Sequence, residues 1–284
     1  MGFFLLSSAP PAPAAPAGTP RLELRAAASR PEIPRYGPGP VWLDLGVSLA
    51  ALDAPFELRV RRATYDDPVR VWQAFHRPGG IQLAELPSDI LEGWIGLDRF
   101  LRIDLYQGGT LVRSRSSDAC LGGYQTERVD GSGPFDPTYP TGCGFNPLML
   151  GGEVAIRSRK QAFCLAPTDP IDLTVDGAVW RPEHMGFSQC GSATSTWIRE
   201  ILPTGWRDTY FQGVPGQSFD ITDLPNGTYW IEVHADPEGR PFDGDPTNDV
   251  ELREVILRGR PGSRTVEAPP WHGIDTEGFF GFGR

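Results

Sequence analysis

The sequence predicts an all-β protein, an antiparallel β-sandwich with long loops and little helix. Three observations lead to this fold class. Gly (34) and Pro (29) together make up more than a fifth of the 284 residues, which is typical of chains with many turns. Apolar and polar residues alternate in several segments, as they do in strands that bury one face. Helical periodicity is weak along the whole chain.

The alternation is clearest in four segments, and each predicts a half-buried strand. These segments are residues 41–49, 56–60, 100–106 and 228–234. Turn residues flank two of them. Residues 224–227, Leu-Pro-Asn-Gly, lead into the last strand, and the Gly-Gly pair within 107–109 predicts a hairpin tip. Residues 84–91 predict one short turn of helix.

The chain divides into an arm, a body and a tail. Residues 1–18 are interpreted as a Pro/Ala-rich arm or a remnant leader, because their short apolar run lacks the basic residues of a secretory signal. Residues 19–260 predict the sandwich, with an insertion rich in Gly, Pro, Asp and Thr at about 116–152. Residues 261–284 predict an irregular tail of aromatic and Gly residues. No segment predicts a membrane span.

Four cysteines, Cys120, Cys143, Cys164 and Cys190, show no Cys-x-x-Cys spacing, which argues against zinc ribbons and thioredoxin-like sites. We therefore expect two disulfides and an extracellular or cell-surface location. Three pairings are possible. Proximity along the chain favours Cys120 with Cys143, which would staple the insertion, and Cys164 with Cys190.

The net charge of the chain limits the classes of partner that it could bind. A formal net charge of −10 argues against nucleic acid, whose binding rewards clustered basic residues. It is compatible with a protein partner or larger assembly, with calcium or with cationic ligands. Lys160 is the one lysine among 26 Lys and Arg residues. A coding bias toward arginine explains this scarcity, while the surviving lysine hints that its amine has a use.

Five short motifs follow one another between residues 155 and 258. They read KQAFCL at 160–165, GWRDTY at 205–210, QSFDITDLPNGTY at 217–229, ADP at 235–237 and DGDPTND at 243–249. In this order they resemble the catalytic domain of the lysyl oxidase family. The N-terminal half is similar more loosely, through PFELR at 55–59 and the strand at 100–106.

The resemblance implies a copper amine oxidase, which converts a primary amine to an aldehyde and releases ammonia and hydrogen peroxide. The family's organic cofactor, lysine tyrosylquinone, joins a lysine to a tyrosine that copper and oxygen have oxidised. By position, Lys160 resembles that lysine and Tyr210 resembles that tyrosine. Both precursors of the cofactor are thus present.

The copper ligands depart from the family pattern. The family places three alternating histidines just before the strand equivalent to 100–106, and residues 91–99 here contain none. The four histidines of this chain are scattered, at His76, His184, His234 and His272. Each is more simply interpreted as a surface or packing residue. The alternative is that the first three converge from different loops and rebuild a copper site.

Without copper the tyrosine is not oxidised, and without the quinone the amine has no electron acceptor. Lys160 and Tyr210 are then interpreted as structural neighbours in a sandwich core, where an ammonium stacks on a ring or reaches a carboxylate. Trp206 and Tyr229 are likewise interpreted as core aromatics rather than substrate contacts.

An acidic loop near the C-terminus predicts a separate cation site. Asp243, Asp245, Asn248 and Asp249 place four oxygen-bearing side chains within seven residues, and calcium prefers such ligands. In the family the equivalent loop meets an N-terminal segment at a calcium site. The matching segment here offers the backbone of Leu22 as a ligand and has Arg21 in place of an aspartate. The alternatives are an Asx-turn loop, or Arg21 paired with an aspartate.

These observations favour a secreted, lysyl oxidase-like β-sandwich that has lost catalysis and serves as a structural or binding component of a cell surface, appendage or virion. One alternative is a copper-dependent amine oxidase of the protein-lysine 6-oxidase type, with lysine tyrosylquinone and a rearranged metal site. Another is a calcium-stabilised adhesion module.

Overall fold

The computed structural model describes residues 23–33, 41–64, 66–92, 96–97, 100–116, 124–128, 156–160, 165–183, 195–210, 218–244, 249–260 and 263–270. Within these residues the regular structure is β-strand, apart from one 3₁₀ turn at Ser88–Ile90. This turn falls inside the segment expected to hold a short helical turn.

The strands are, in chain order, β1 (Glu23–Glu32), β2 (Trp42–Leu52), β3 (Phe56–Arg61), β4 (Arg70–Arg77), β5 (Gly80–Leu86), β6 (Leu91–Glu92), β7 (Gly96–Leu97), β8 (Leu101–Gln107), β9 (Thr110–Ser116), β10 (Tyr124–Arg128), β11 (Ile156–Lys160), β12 (Asp169–Pro170), β13 (Trp197–Leu202), β14 (Trp206–Tyr210), β15 (Phe219–Asp220), β16 (Gly227–Ala235), β17 (Val250–Arg260) and β18 (Ser263–Glu267). The four strands that alternation predicts are confirmed as β2, β3, β8 and β16.

Three larger sheets carry most of these strands, and all of the described pairings are antiparallel. The first sheet has the order β1-β2-β14-β12, with β15 also paired to β2. The second has the order β13-β3-β4-β5. The third has the order β18-β17-β16-β8-β9. The remaining strands form two short two-stranded sheets, β6-β7 and β10-β11. The all-β sandwich class is thus confirmed.

The sheets share one hydrophobic core. It combines the inward faces of β2, β3, β8, β13, β14, β16 and β17. Phe56 on β3 and Phe100 before β8 stack with their ring centroids 5.8 Å apart, which joins the second and third sheets. Trp206 and Tyr229 are both buried, so their interpretation as core aromatics is confirmed.

A glycine turn closes the β8–β9 hairpin where the sequence predicts it. Gly108 and Gly109 have φ of 55° and 82°, the left-handed conformation that a type I′ hairpin turn needs at both positions. Glycine adopts this conformation without steric cost, so the pair sets the position of the tip.

The expectation that β2 is half-buried is wrong. Every residue from Leu43 to Ala51 is buried, on both faces of the strand. The second face carries the small or polar residues Asp44, Gly46, Ser48 and Ala50. Ser48 Oγ lies 3.0 Å from Thr209 Oγ1 on β14, so at least one of these polar groups is satisfied inside the protein.

One boundary differs from the sequence-based division. Strand β18 pairs with β17 and continues the third sheet to Glu267, past residue 260 where the sequence places the end of the sandwich. Arg264 holds this edge by donating hydrogen bonds to Asn226 and to the Leu224 carbonyl. Strand β10 lies inside the expected insertion and pairs with β11. No helix in the described residues is long and apolar enough to cross a bilayer.

Candidate functional site

Tyr210 occupies a core position at the end of β14. Three alternate residues of this strand, Trp206, Asp208 and Tyr210, lie opposite Ala51, Leu49 and Val47 of β2. Because these β2 residues belong to the hydrophobic core, the three β14 side chains share its environment. A carboxyl group and a phenol are therefore placed among apolar side chains.

The phenol is held by a carboxylate rather than by imidazoles. Tyr210 Oη donates a hydrogen bond to Asp208 Oδ2 over 3.0 Å, and the Ala166 amide donates to the same oxygen over 3.2 Å. On the facing strand β13, Glu200 Oε2 accepts from the Leu165 amide at 3.0 Å. The residues 165–166 thus supply backbone donors to both buried carboxyl groups.

Burial dominates the electrostatics of this cluster. Burial and the neighbouring Asp208 raise the pKa of Glu200 well above its usual range. Burial, the charge of Asp208 and the hydrogen bond to it also raise the pKa of the Tyr210 phenol well above 10. Tyr210 is therefore a protonated hydrogen-bond donor at neutral pH, and Glu200 favours its neutral form.

Lys160 ends strand β11, where its backbone lies opposite Tyr124 of β10. Its side chain lies outside the part of the chain that the structure describes. The expected neighbourhood of Lys160 and Tyr210 therefore stays a prediction.

The two described histidines lie on different sheets, each with its own partner. His76 Nε2 on β4 is 2.7 Å from Glu57 Oε2, and His234 Nδ1 on β16 is 3.2 Å from Arg102 Nη2. His184 and His272 lie outside the described residues. The carboxyl groups near Tyr210 are not the imidazole donors that suit copper, so the described surroundings of the phenol do not fit a copper site.

The predicted cation loop is only partly described. Asp243 and Asp249 are placed, whereas Asp245, Asn248 and Leu22 lie outside the described residues. Asp249 is buried, and its carbonyl accepts a hydrogen bond from the Ala235 amide at 2.9 Å. No group of three or more His, Cys, Asp or Glu side chains in the described part is arranged to hold a metal ion.

Asp236 adds a carboxyl group beside this loop that the sequence reasoning did not select. Burial raises its pKa to about 7, and the nearby Asp243 and Glu238 act in the same direction against Arg240. Arg240 Nε lies 3.7 Å from Asp236 and 3.6 Å from Glu238. An arginine thus already supplies positive charge to this group of carboxylates.

A hub of charged side chains on the second sheet was also missed. The side chain of Glu57 on β3 is fully buried and accepts from three residues: Arg59 Nε at 2.7 Å, His76 Nε2 at 2.7 Å, and Arg199 Nε and Nη2 at 3.0 Å each. Burial alone would raise the pKa of Glu57, but the bonds from His76, Arg199 and Arg59 outweigh it and lower the pKa to about 2. Glu57 is therefore ionised across the physiological range.

A cleft of about 340 Å³ opens beside this hub. Apolar residues form much of its wall, namely Pro55, Val179, Pro182, Ile201 and Pro203. Its polar lining includes His76, Arg199 and Glu183, and Arg199 Nη1 donates to Glu183 Oε2 over 3.1 Å. Trp206 Nε1 donates to the Val179 carbonyl at 2.6 Å and fixes this wall to the core.

A second polar cluster lies on the face of the third sheet that points away from the core. Arg102 on β8 contacts Asp104 at 3.1 Å and Glu232 of β16 at 3.6 Å, in addition to His234. Burial and the charge of Arg102 lower the pKa of His234 to about 4. Because an arginine only donates, His234 Nδ1 accepts and the ring is neutral.

Alternation in the sequence places Glu57, Arg59 and Arg61 on one face of a strand. No nearby residue in the sequence indicates that Arg199 or His76 would be a partner of Glu57.

The four cysteines, and with them both expected disulfides, lie outside the described residues. No protein-family model matches this chain, and no curated protein is significantly similar to it.

Proposed function

We propose that this chain is a secreted, lysyl oxidase-like β-sandwich that acts as a structural or binding component of a cell surface, appendage or virion, and not as an amine oxidase. The five ordered motifs support the relationship, and the histidine-free segment 91–99 supports the loss of copper chemistry.

The environment of Tyr210 is the observation that carries this proposal. Oxidation of a tyrosine by copper requires the phenol to reach the metal, whereas the Tyr210 side chain is enclosed in the hydrophobic core. Tyr210 instead donates a hydrogen bond that satisfies a carboxylate inside the core. Tyr210 therefore acts as a structural residue of the core. This role supports the proposal that the protein has kept the fold and lost the amine oxidase activity.

The deciding experiment is intact mass with peptide mapping after exposure of the purified protein to copper and oxygen. We expect two separate, unmodified peptides that contain Lys160 and Tyr210, and no quinone absorbance. A crosslinked Lys160–Tyr210 peptide, together with peroxide release from a primary amine, would show an active amine oxidase. Tyr210→Phe is the matched control, since it removes the phenol that a crosslink needs.

The same peptide maps, prepared without reduction, test the expected location. A secreted protein should yield the linked pairs Cys120–Cys143 and Cys164–Cys190. Four free thiols in protein isolated from its native source would argue against an oxidising compartment.

A calcium-stabilised adhesion module is a second candidate. The observation that favours it is the pair of Asp236 and Asp243, in which burial and the neighbouring carboxylate raise the pKa of Asp236. A bound cation would relieve this repulsion and stabilise the folded state in proportion to its binding. Thermal unfolding measured with calcium and with a chelator tests this candidate function. An unfolding midpoint that is the same in both conditions would show that calcium does not stabilise the fold.

A further inference from the structure

We propose that the cleft between the second sheet and residues 177–183 binds a ligand that joins one carboxylate to an apolar group. This inference rests on the proposed function, because it names what a binding component of this kind would hold.

Arg199 is preorganised for such a ligand. Its Nε and Nη2 both donate to the buried Glu57 carboxylate at 3.0 Å, so the guanidinium plane is fixed by a two-point contact. Its Nη1 is turned to the cleft, where Glu183 accepts from it at 3.1 Å. A donor held in place by a buried anion loses little freedom when it binds a second carboxylate.

Glu183 occupies the position that a ligand carboxylate would take. Its side chain is 73% exposed, and an ion pair with so exposed a carboxylate contributes little to stability. A ligand can therefore displace Glu183 at small cost and regain the same hydrogen bond in a drier setting. The protein's own carboxylate shows which chemical group the site accepts.

The charges at the cleft are balanced while Glu183 stays in place. Glu57 is ionised and contacts two arginines, Arg59 and Arg199, and Glu183 pairs with Arg199, so two positive charges face two negative ones. Among the residues that line the cleft, Glu183 is the one acidic side chain described. A ligand carboxylate that takes the place of Glu183 on Arg199 therefore preserves this balance, whereas a neutral group leaves a charged donor without its anion.

The walls suit an apolar group of modest size. Three prolines, Pro55, Pro182 and Pro203, line the cleft together with Val179 and Ile201. Rigid apolar walls around a few oriented polar groups are typical of small-ligand sites, and about 340 Å³ is near the lower end of their usual volumes.

The carboxylate has two possible sources, a small organic acid or the C-terminus of a polypeptide with an apolar last residue. Calorimetric titration distinguishes them with 3-phenylpropanoate in one arm and the peptide Gly-Gly-Leu-Phe with a free carboxylate in the other. The matched neutral probes are 3-phenylpropanamide and the same peptide with a C-terminal amide. We expect at least one acid to bind and its amide to bind at least tenfold more weakly.

Three variants test the assignment. Glu183→Gln removes the internal competitor, and we expect roughly three- to fivefold tighter binding, the factor that corresponds to one exposed ion pair. Arg199→Gln should weaken binding by roughly tenfold or more, as expected for loss of a charged donor. Arg70→Gln is the control, since Arg70 pairs with Glu85 on the same sheet but does not line the cleft.

The tighter binding expected for Glu183→Gln cannot arise from a damaged fold. This variant therefore tests the inference even if Arg199→Gln does not fold. Binding of acids and amides with equal affinity, or no binding of either acid, would overturn the inference. Binding of the peptide acid alone would identify a polypeptide terminus as the source. Such outcomes are independent of the copper experiment, because a Lys160–Tyr210 crosslink would overturn the proposed function without touching the cleft.

Discussion

The Tyr210 phenol and the Asp208 carboxylate, two residues apart on β14, are joined by a hydrogen bond of 3.0 Å inside the hydrophobic core. The residue that resembles a cofactor precursor is therefore engaged in satisfying a buried carboxylate. Its removal has a cost to stability that does not depend on any catalytic role.

Tyr210→Phe should lower the free energy of unfolding by about 1–3 kcal/mol, because a buried carboxylate loses a donor. Urea denaturation at neutral pH measures this loss. Tyr106→Phe is the matched control, since Tyr106 is only half-buried and its Oη makes a long contact of 3.4 Å with Asp104, so its cost should be about 0.5 kcal/mol or less. Equal losses of unfolding free energy in the two variants would show that the Tyr210–Asp208 hydrogen bond stabilises the fold no more than the contact of Tyr106.

Glu57 should make the protein sensitive to acid. Its pKa is lowered from 4.5 to about 2 in the folded state, so the unfolded chain binds the proton more readily. The stability that Glu57 contributes is present above about pH 4.5 and is lost as the pH falls toward 2. Urea midpoints measured from pH 5 to 2 should fall steeply, and Glu57→Gln should remove part of that slope. A variant with the slope of the unmodified protein would contradict the prediction.

His234 should add a second pH window, at higher pH than that of Glu57. Its pKa is lowered from 6.5 to about 4 by burial and by Arg102, so the folded state keeps the ring neutral while the unfolded chain takes up a proton. The contribution of His234 to stability should therefore decline as the pH falls from 6.5 to 4. Asp236, whose pKa is raised from 3.8 to about 7, contributes with the opposite sign over this range, so the effect of His234 is measured as a difference between variants. The urea midpoint of the unmodified protein minus that of His234→Gln should fall as the pH falls from 6.5 to 4 and should change little below pH 4.

Gly205 should resist substitution more than a glycine of the same conformation elsewhere. It has φ of 80° in the turn between β13 and β14, and an added Cβ would collide with the Asp172 carbonyl oxygen. Gly177 has φ of 76°, with nothing within 4 Å of an added Cβ. We expect Gly177→Ala to cost about 1 kcal/mol from backbone strain alone, and Gly205→Ala to cost at least about 2 kcal/mol more.

Thermal or urea unfolding of both alanine variants measures the difference. The turn at Gly205 sets how β13 and β14 place Glu200 and Asp208 across the core. A similar loss for both variants would mean that the Asp172 carbonyl moves aside easily.

The strands could be predicted because their signal is local. Alternation of apolar and polar residues has the period of a strand, and it located β2, β3, β8 and β16. The Gly108-Gly109 pair likewise marked a hairpin tip, since few other residues adopt its backbone conformation. Trp206 and Tyr229 followed from their size and apolar surface.

The charged hub could not be predicted in the same way. Glu57 and Arg199 are far apart in sequence and meet because β3 pairs with β13 in one register. The burial of β2 could not be predicted either. Alternation predicted that the polar face of this strand is exposed, whereas the fold buries it. Polar residues alone do not report whether another part of the chain covers them.

The sequence by itself determined the all-β class and the positions of the main strands, and its resemblance to a known family selected Lys160 and Tyr210 for the proposed function. The tertiary structure decided which of the polar residues meet, namely Tyr210 with Asp208 in the core and Arg199 with Glu57 beside the cleft. The physical reason is that propensity and periodicity act between residues close in sequence. Electrostatic partners and burial are set instead by strand register and by the packing of sheets against one another.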